Sequence, residues 1–127
     1  MSNLIVKSQR KASPGNQTET TITLEGNLDN STVAILEQNL KPVLETKPAQ
    51  LIFDLAGLKF VTSSGIRLFF MASKSQKANK GQTSFVNLPP QIKEVFAIMG
   101  SIPDMKIFTS QAELDAYLLA RQQTYVQ

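Results

Sequence analysis

The pattern of polar and apolar positions near the start of the chain predicts two β-strands. Residues 1–10 form the first, and residues 18–25 form the second, where threonines alternate with Ile22 and Leu24. This alternation is typical of a strand with one buried face. The residues between them, 11–17, contain Pro14 and Gly15 and therefore favour a turn-rich connection.

Apolar residues at helical spacing then predict a helix over residues 31–45, with N-cap candidates in the closing segment Gly26–Ser31. The apolar side of this helix carries Val33, Leu36, Leu40, Val43 and Leu44. Proline lacks an N–H and clashes with the preceding helical turn, so we expect Pro42 to kink or shorten the helix.

The apolar run Leu51–Leu55 predicts a buried strand, followed by a short turn and a second helix. That helix is predicted to run from Ser63 or Ser64 to about Asn79, where Lys80 and Gly81 are typical of a helix end. The remaining pattern predicts a strand over 83–87 and then a helix over 91–99, which Pro89-Pro90 opens and Gly100 ends. A further strand is predicted over 105–108. Thr109-Ser110 then caps a last helix, in which Leu114, Tyr117 and Leu118 lie at helical spacing.

Strands that alternate with helices indicate parallel pairing, and the early β-rich stretches add antiparallel pairing at one side. The sequence therefore predicts an α/β fold: a small mixed sheet of about four to five strands packed against about four helices. At 127 residues, the whole chain 1–127 is expected to form one domain.

The composition excludes several kinds of chemistry. The chain has no histidine and no cysteine, which removes most metal sites, thiol nucleophiles and imidazole acid–base catalysis. Its six glycines are isolated and form no phosphate-binding loop. We therefore expect a binding or switching module with no cofactor and no metal, rather than an enzyme.

No apolar run approaches the roughly 20 residues that span a bilayer, and the apolar stretch at the N-terminus is too short for a signal peptide. We expect a cytoplasmic protein that does not insert into membranes.

The net charge of +3 is unevenly placed, because no acidic residue lies between Asp54 and Glu94. The basic residues in that stretch are Lys59, Arg67, Lys74, Lys77, Lys80 and Lys93. Such a stretch is typical of a solvated helix face, and it also suits the steering of an acidic protein partner or the accommodation of a phosphate. Nucleic acid is not an expected partner, because the basic residues are neither dense nor interleaved with aromatic ones.

Three hydroxyl residues, Thr62, Ser63 and Ser64, precede Gly65 where the second helix is predicted to begin. Serine and threonine are favoured N-cap residues, so helix capping alone explains this composition. The N-terminus of a helix is also a place where a phosphate group is stabilised. Both interpretations place the cluster at the carboxyl end of a strand, where sheets of this class usually carry their sites.

Several short motifs occur in a characteristic order. Asp54-Leu55 ends a predicted strand, Phe60-Val61 follows, and Ser63-Ser64-Gly65 opens a helix. Gly26-Asn27-Leu28-Asp29 precedes them, and Ile98-Met99-Gly100 comes later. This ordered set resembles the STAS domain (sulfate transporter and anti-sigma-factor antagonist), particularly the stand-alone bacterial anti-sigma-factor antagonists.

The resemblance implies a switch. In that family the serine that corresponds to Ser63 is phosphorylated by a partner that is both anti-sigma factor and serine kinase, and a serine phosphatase resets the cycle. The unmodified form binds the kinase. Thr62 stands where the family usually has aspartate, which makes Thr62 and Ser64 secondary candidate acceptors.

The second predicted helix has two distinct faces. Ile66, Phe69 and Phe70 are expected in the core, whereas Arg67, Met71, Lys74 and Ala78 share the opposite face. Methionine there suits an adaptable contact surface, although a well-buried helix with a stray methionine fits the pattern equally. The residues predicted to contact a partner are Asp29, Thr62, Ser63, Ser64, Gly65, Arg67, Met71 and Lys74.

The alternative function is that of a non-switching accessory subunit, such as the STAS partner of a lipid-transport ATPase. Thr62 in place of aspartate supports this alternative. A third possibility, an enzyme or nucleotide-binding protein, is disfavoured by the missing histidine, cysteine and glycine-rich loop.

Overall fold

A computed structural model describes residues 3–13, 17–101 and 111–123. Over these residues the elements are β1 Leu4–Ser13, β2 Gln17–Leu28, α1 Val33–Glu45, β3 Gln50–Val61, α2 Ser63–Ala78, β4 Gln82–Val86, α3 Pro90–Ser101 and α4 Gln111–Gln123. The four strands form one sheet in the order β1-β2-β3-β4. β1 pairs antiparallel with β2, while β2–β3 and β3–β4 are parallel. The predicted α/β class with a small mixed sheet and about four helices is confirmed.

The inner strand β3 is longer than predicted, because the chain continues as a strand to Val61 where a turn was expected after Leu55. The pairing of β2 with β3 shifts register twice, once between Thr23 and Glu25 and again between Gly26 and Asn27. Such bulges disturb the two-residue alternation of buried positions, so the second half of β3 does not look like a strand in the sequence.

Other predicted boundaries also moved. The predicted turn over 11–17 is largely strand, because β1 and β2 remain paired as far as Ser13 and Gln17. The segment after residue 25, which was predicted to close the second strand, belongs to β2 as far as Leu28. Gly26 lies inside β2 with φ of 110°, a conformation that glycine adopts without strain. Pro42 does not shorten α1, which runs on to Glu45.

The later helices agree with prediction in number but not in every residue. Gly100 does not end α3, which continues to Ser101. In α4, Leu118 is buried but Tyr117 is exposed. The predicted strand over 105–108, the caps at 109–110 and the side chain of Leu114 lie outside the described residues.

An aromatic cluster joins the sheet to α2 and α3. Phe53 of β3 lies 5.0 Å from Phe69 of α2 and 5.2 Å from Phe85 of β4, measured between ring centroids. Phe96 of α3 closes the cluster at 5.0 Å from Phe85. Phe70 was predicted to lie in the core, but it is 40% exposed, with its ring centroid 6.4 Å from that of Phe96, so that prediction is wrong.

Gly65 allows the first turn of α2 to sit directly on the ends of two strands. A Cβ at this position would lie 2.7 Å from Leu28 Cδ2 and 2.9 Å from Val61 Cγ2. Both neighbours are fully buried. No larger residue fits here unless the core moves.

We therefore expect Gly65→Ala to lower the free energy of unfolding by about 1–3 kcal/mol, the usual cost of overpacking a core. Helix propensity alone would favour alanine by about 1 kcal/mol, so the sign of the change separates the two effects. Lys77→Ala, at an exposed position of the same helix, should stay within about 0.5 kcal/mol of the native chain in denaturant titrations. A stabilised Gly65→Ala chain would contradict the close packing described.

Candidate functional site

The ends of β2 and β3 meet the start of α2 at one edge of the sheet. Leu28 and Val61 are paired in register, and the Thr62 N–H donates to the Leu28 carbonyl at 3.0 Å. Thr62 has an extended backbone, and α2 begins at the next residue, Ser63. The predicted position of the hydroxyl cluster, at the carboxyl end of a strand and the start of a helix, is therefore confirmed.

The first two hydroxyls of the cluster are buried and unpaired. Thr62 is 7% exposed and Ser63 is 0% exposed. Neither the Thr62 Oγ1 nor the Ser63 Oγ has a hydrogen-bond partner among the described residues. A buried polar group without a partner costs about 1–3 kcal/mol, so this arrangement is not expected from packing alone.

Helix capping does not account for these hydroxyls. Thr62 occupies the N-cap position of α2, yet its side chain makes no capping hydrogen bond. The third hydroxyl, Ser64 Oγ, donates instead to Asn30 Oδ1 at 2.9 Å, in the loop between β2 and α1. The side chains of Thr62 and Ser63 therefore do not cap α2, as the interpretation of the cluster as a redundant cap would require.

The α2 N-terminus is capped from a distant helix. The Ser63 N–H donates to Asp115 Oδ1 of α4 at 2.9 Å. A carboxylate at this end of a helix is stabilised by the unpaired N–H groups and the helix dipole. Because 52 positions separate the two residues along the chain, no local sequence pattern predicts this contact.

A second side chain of α4 holds the end of β3. The Gln122 amide is buried, and its Oε1 accepts from the Val61 N–H at 2.9 Å. Its Nε2 donates to the Val61 carbonyl at 2.7 Å. The amide thus satisfies both backbone groups of Val61, as a neighbouring strand would. Together, Asp115 and Gln122 fasten α4 across the strand–helix junction.

The loop that follows β2 is ordered by Asp29. Its Oδ1 accepts from the Ser31 N–H at 2.9 Å and from the Ser31 hydroxyl at 2.6 Å, and the Asp29 N–H donates to Thr32 Oγ1. Asp29 is half-buried, and these bonds hold the loop that presents Asn30 to Ser64. Asn30 was not among the residues singled out in the sequence, although it adjoins the Gly26–Asp29 motif.

The predicted outer face of α2 is exposed at Arg67, Met71, Lys74 and Ala78. Two of these residues, Arg67 and Met71, line a groove of about 410 Å³ between α1 and α2, and Ser64 lies at the same groove. Lys74 is exposed but is not among the groove residues. Gly65, by contrast, lies on the buried side of α2, so its observed contribution is to packing.

The described residues bring no three acidic side chains together in an arrangement that could hold a metal ion. Among the helices of the described ranges, none is long and apolar enough to cross a membrane.

Comparison with known proteins agrees with this architecture. The anti-sigma F factor antagonist of Lysinibacillus sphaericus is 28% identical over 95 residues, which cover 74% of this chain and 81% of that protein. An anti-sigma factor antagonist from Mycobacterium paratuberculosis has a similar structure, with a TM-score of 0.63, 21% identity, and coverage of 93% of this chain and 95% of that one.

The Bacillus cell fate determinant SpoIIAA in its phosphorylated form also shares the fold, with a TM-score of 0.56 and 22% identity over 72% of this chain and 84% of SpoIIAA. The family model of the STAS domain matches residues 10–114. On this match, which covers most of the described sheet and helices, the chain belongs to the STAS domain family.

Proposed function

We propose that this protein is a cytoplasmic partner-switching regulator of transcription, similar to an anti-sigma factor antagonist. In its unmodified form it binds an anti-sigma factor that is also a serine kinase. Phosphorylation of Ser63 releases that partner, and a serine phosphatase restores the binding form. The protein itself is a binding module and catalyses no step.

The observation that carries the proposal is the Ser63 hydroxyl at the first position of α2, which is buried and has no hydrogen-bond partner within the described part of the chain. A phosphate at a helix N-terminus is stabilised by the backbone N–H groups and the dipole, so the start of α2 is an electrostatically favourable place for the modification. The relative from Lysinibacillus sphaericus is named an anti-sigma F factor antagonist, and SpoIIAA is known in a phosphorylated form. These names support the same kind of switch.

The proposed partner surface is the groove between α1 and α2 together with the exposed face of α2. Ser64, next to Ser63, already lies at this groove with Arg67 and Met71. A phosphate on Ser63 would add about −1.5 to −2 charges beside a groove that presents apolar groups together with one acidic and one basic side chain, Glu37 and Arg67. An interface formed against the unmodified surface would lose affinity, because the phosphate adds bulk and must be desolvated.

One observation favours the alternative, a non-switching accessory subunit of a lipid-transport ATPase or other regulatory complex. Ser63 is completely buried, so no kinase reaches its hydroxyl in this conformation. If the protein binds its partner without being modified, the same groove remains the docking surface.

Incubation with the cognate kinase and ATP, followed by mass spectrometry, should show one phosphate on the native chain and on Ser64→Ala, and none on Ser63→Ala. The adjacent serine is the matched control, since it differs in burial and hydrogen bonding. A Ser63→Glu chain should lose the partner that native and Ser63→Ala chains retain. Modification of Ser63→Ala to the native extent would exclude Ser63 as the acceptor.

For the docking surface, we expect Met71→Lys to weaken binding of the kinase partner about tenfold, or about 1.4 kcal/mol. Met71 is 49% exposed and lines the groove on α2. Leu119→Lys is the matched control, because Leu119 is an apolar residue of α4 with 42% exposure. Calorimetric titration measures both affinities. Equal losses in the two variants would show that the groove is not the docking surface.

A further inference from the structure

The α2 N-terminus combines two features of an anion-binding site. Backbone N–H groups at the start of a helix lack intrahelical partners, and they favour a negatively charged group. In addition, the hydroxyls of Thr62 and Ser63 are buried there without hydrogen-bond partners among the described residues.

That site is already occupied by a group of the chain itself. The Asp115 carboxylate accepts from the Ser63 N–H at 2.9 Å, and Asp115 is half-buried. Gln122, two turns further along α4, anchors the same helix to Val61. A negative charge therefore stands at the place where a phosphate on Ser63 would be stabilised.

From this geometry we infer that Asp115 is a gating residue for Ser63: its carboxylate and a phosphate on Ser63 compete for the α2 N-terminus. While the Ser63–Asp115 contact is closed, the Ser63 hydroxyl is inaccessible. When it opens, the hydroxyl can be modified, and the phosphate then takes the place of the carboxylate. The claim that a phosphate on Ser63 replaces the carboxylate rests on the proposed function. The claim that the Asp115 contact controls access to the Ser63 hydroxyl does not.

The chemistry of the transfer explains why the contact must open. The Ser63 oxygen attacks the γ-phosphorus of ATP, a bond forms between them, and the bond from that phosphorus to the β,γ-bridging oxygen breaks. ADP leaves with the electron pair, and a base of the kinase takes the hydroxyl proton. This in-line attack requires the reacting atoms to approach to about 3–3.5 Å, which a fully buried oxygen does not allow.

The two anions cannot share the site. The phosphate has about −1.5 to −2 charges, and it would lie beside the carboxylate in a partly desolvated environment. Phosphorylation is therefore expected to displace Asp115 from the Ser63 N–H. The contact between α4 and α2 then differs between the unmodified and the modified protein.

Because the chain has no cysteine, Ser63→Cys carries a single thiol whose accessibility can be measured directly. We expect this thiol to react with a water-soluble maleimide about tenfold more slowly, or slower still, than the thiol of Ser84→Cys, an exposed position. Adding Asp115→Ala should raise the Ser63→Cys rate about fivefold or more. Adding Gln123→Ala, at an exposed position of α4, should leave the rate unchanged.

A carboxylate beside a thiol also lowers the fraction of reactive thiolate, so rates are compared at the plateau of their pH profiles. Asp115→Asn keeps an acceptor for the Ser63 N–H but removes the charge, so its plateau rate should lie between those of the native and Asp115→Ala backgrounds. If Ser63→Cys does not fold, as judged by circular dichroism, Thr62→Cys replaces it, because Thr62 is the other buried hydroxyl.

Two results would overturn the inference: a Ser63→Cys thiol as reactive as that of Ser84→Cys, or a plateau rate that Asp115→Ala leaves unchanged. Measuring phosphorylation by the cognate kinase distinguishes a failure of the gating inference from a failure of the proposed function. Thiol rates that respond to Asp115 in a chain that is never phosphorylated would support the gate and contradict the switch. If Ser63 is phosphorylated at equal rates in native and Asp115→Ala chains, and the thiol reaction rates are also unchanged, the switch is supported and the gate is contradicted.

Discussion

The start of α2 is where the structure is most constrained, because a helix beginning inside the protein needs acceptors for its first N–H groups. Water cannot supply them at Ser63, which is completely buried. The acceptor is the carboxylate of Asp115, contributed by the last helix of the described chain. This hydrogen bond joins the start of α2 to α4 at the point where Ser63 is buried.

The surrounding residues support the same junction from other directions. Gly65 lets α2 approach Leu28 and Val61, and Gln122 replaces a missing strand neighbour for Val61. On the open side, Asn30 accepts from Ser64 and connects the junction to the loop before α1. The hydroxyl cluster therefore lies between the buried junction and the exposed groove. In that position, a modification of a buried hydroxyl can change a surface that a partner contacts.

Much of this could be predicted from local patterns. The hydroxyl cluster was placed correctly because an apolar strand and an amphipathic helix flank it, and both signals are local. The second half of β3 was missed because two bulges in its pairing with β2 break the alternation that marks a strand. The prediction for Phe70 was wrong because helical periodicity indicates which side of α2 faces the protein, but not how much of that side α3 covers. Asp115 and Gln122 were beyond prediction, since their partners lie 52 and 61 positions away in the chain.

Position 62 carries a hydroxyl, yet a carboxylate still reaches Ser63, from α4 instead of from the preceding residue. The most direct measurement of this central contact is amide hydrogen exchange at Ser63, resolved by NMR. The first N–H of a helix usually exchanges rapidly, but here we predict slow exchange that Asp115→Ala accelerates about tenfold while the mid-helix amide of Phe69 is unaffected. Equal and rapid exchange of the Ser63 amide in both chains would contradict the account.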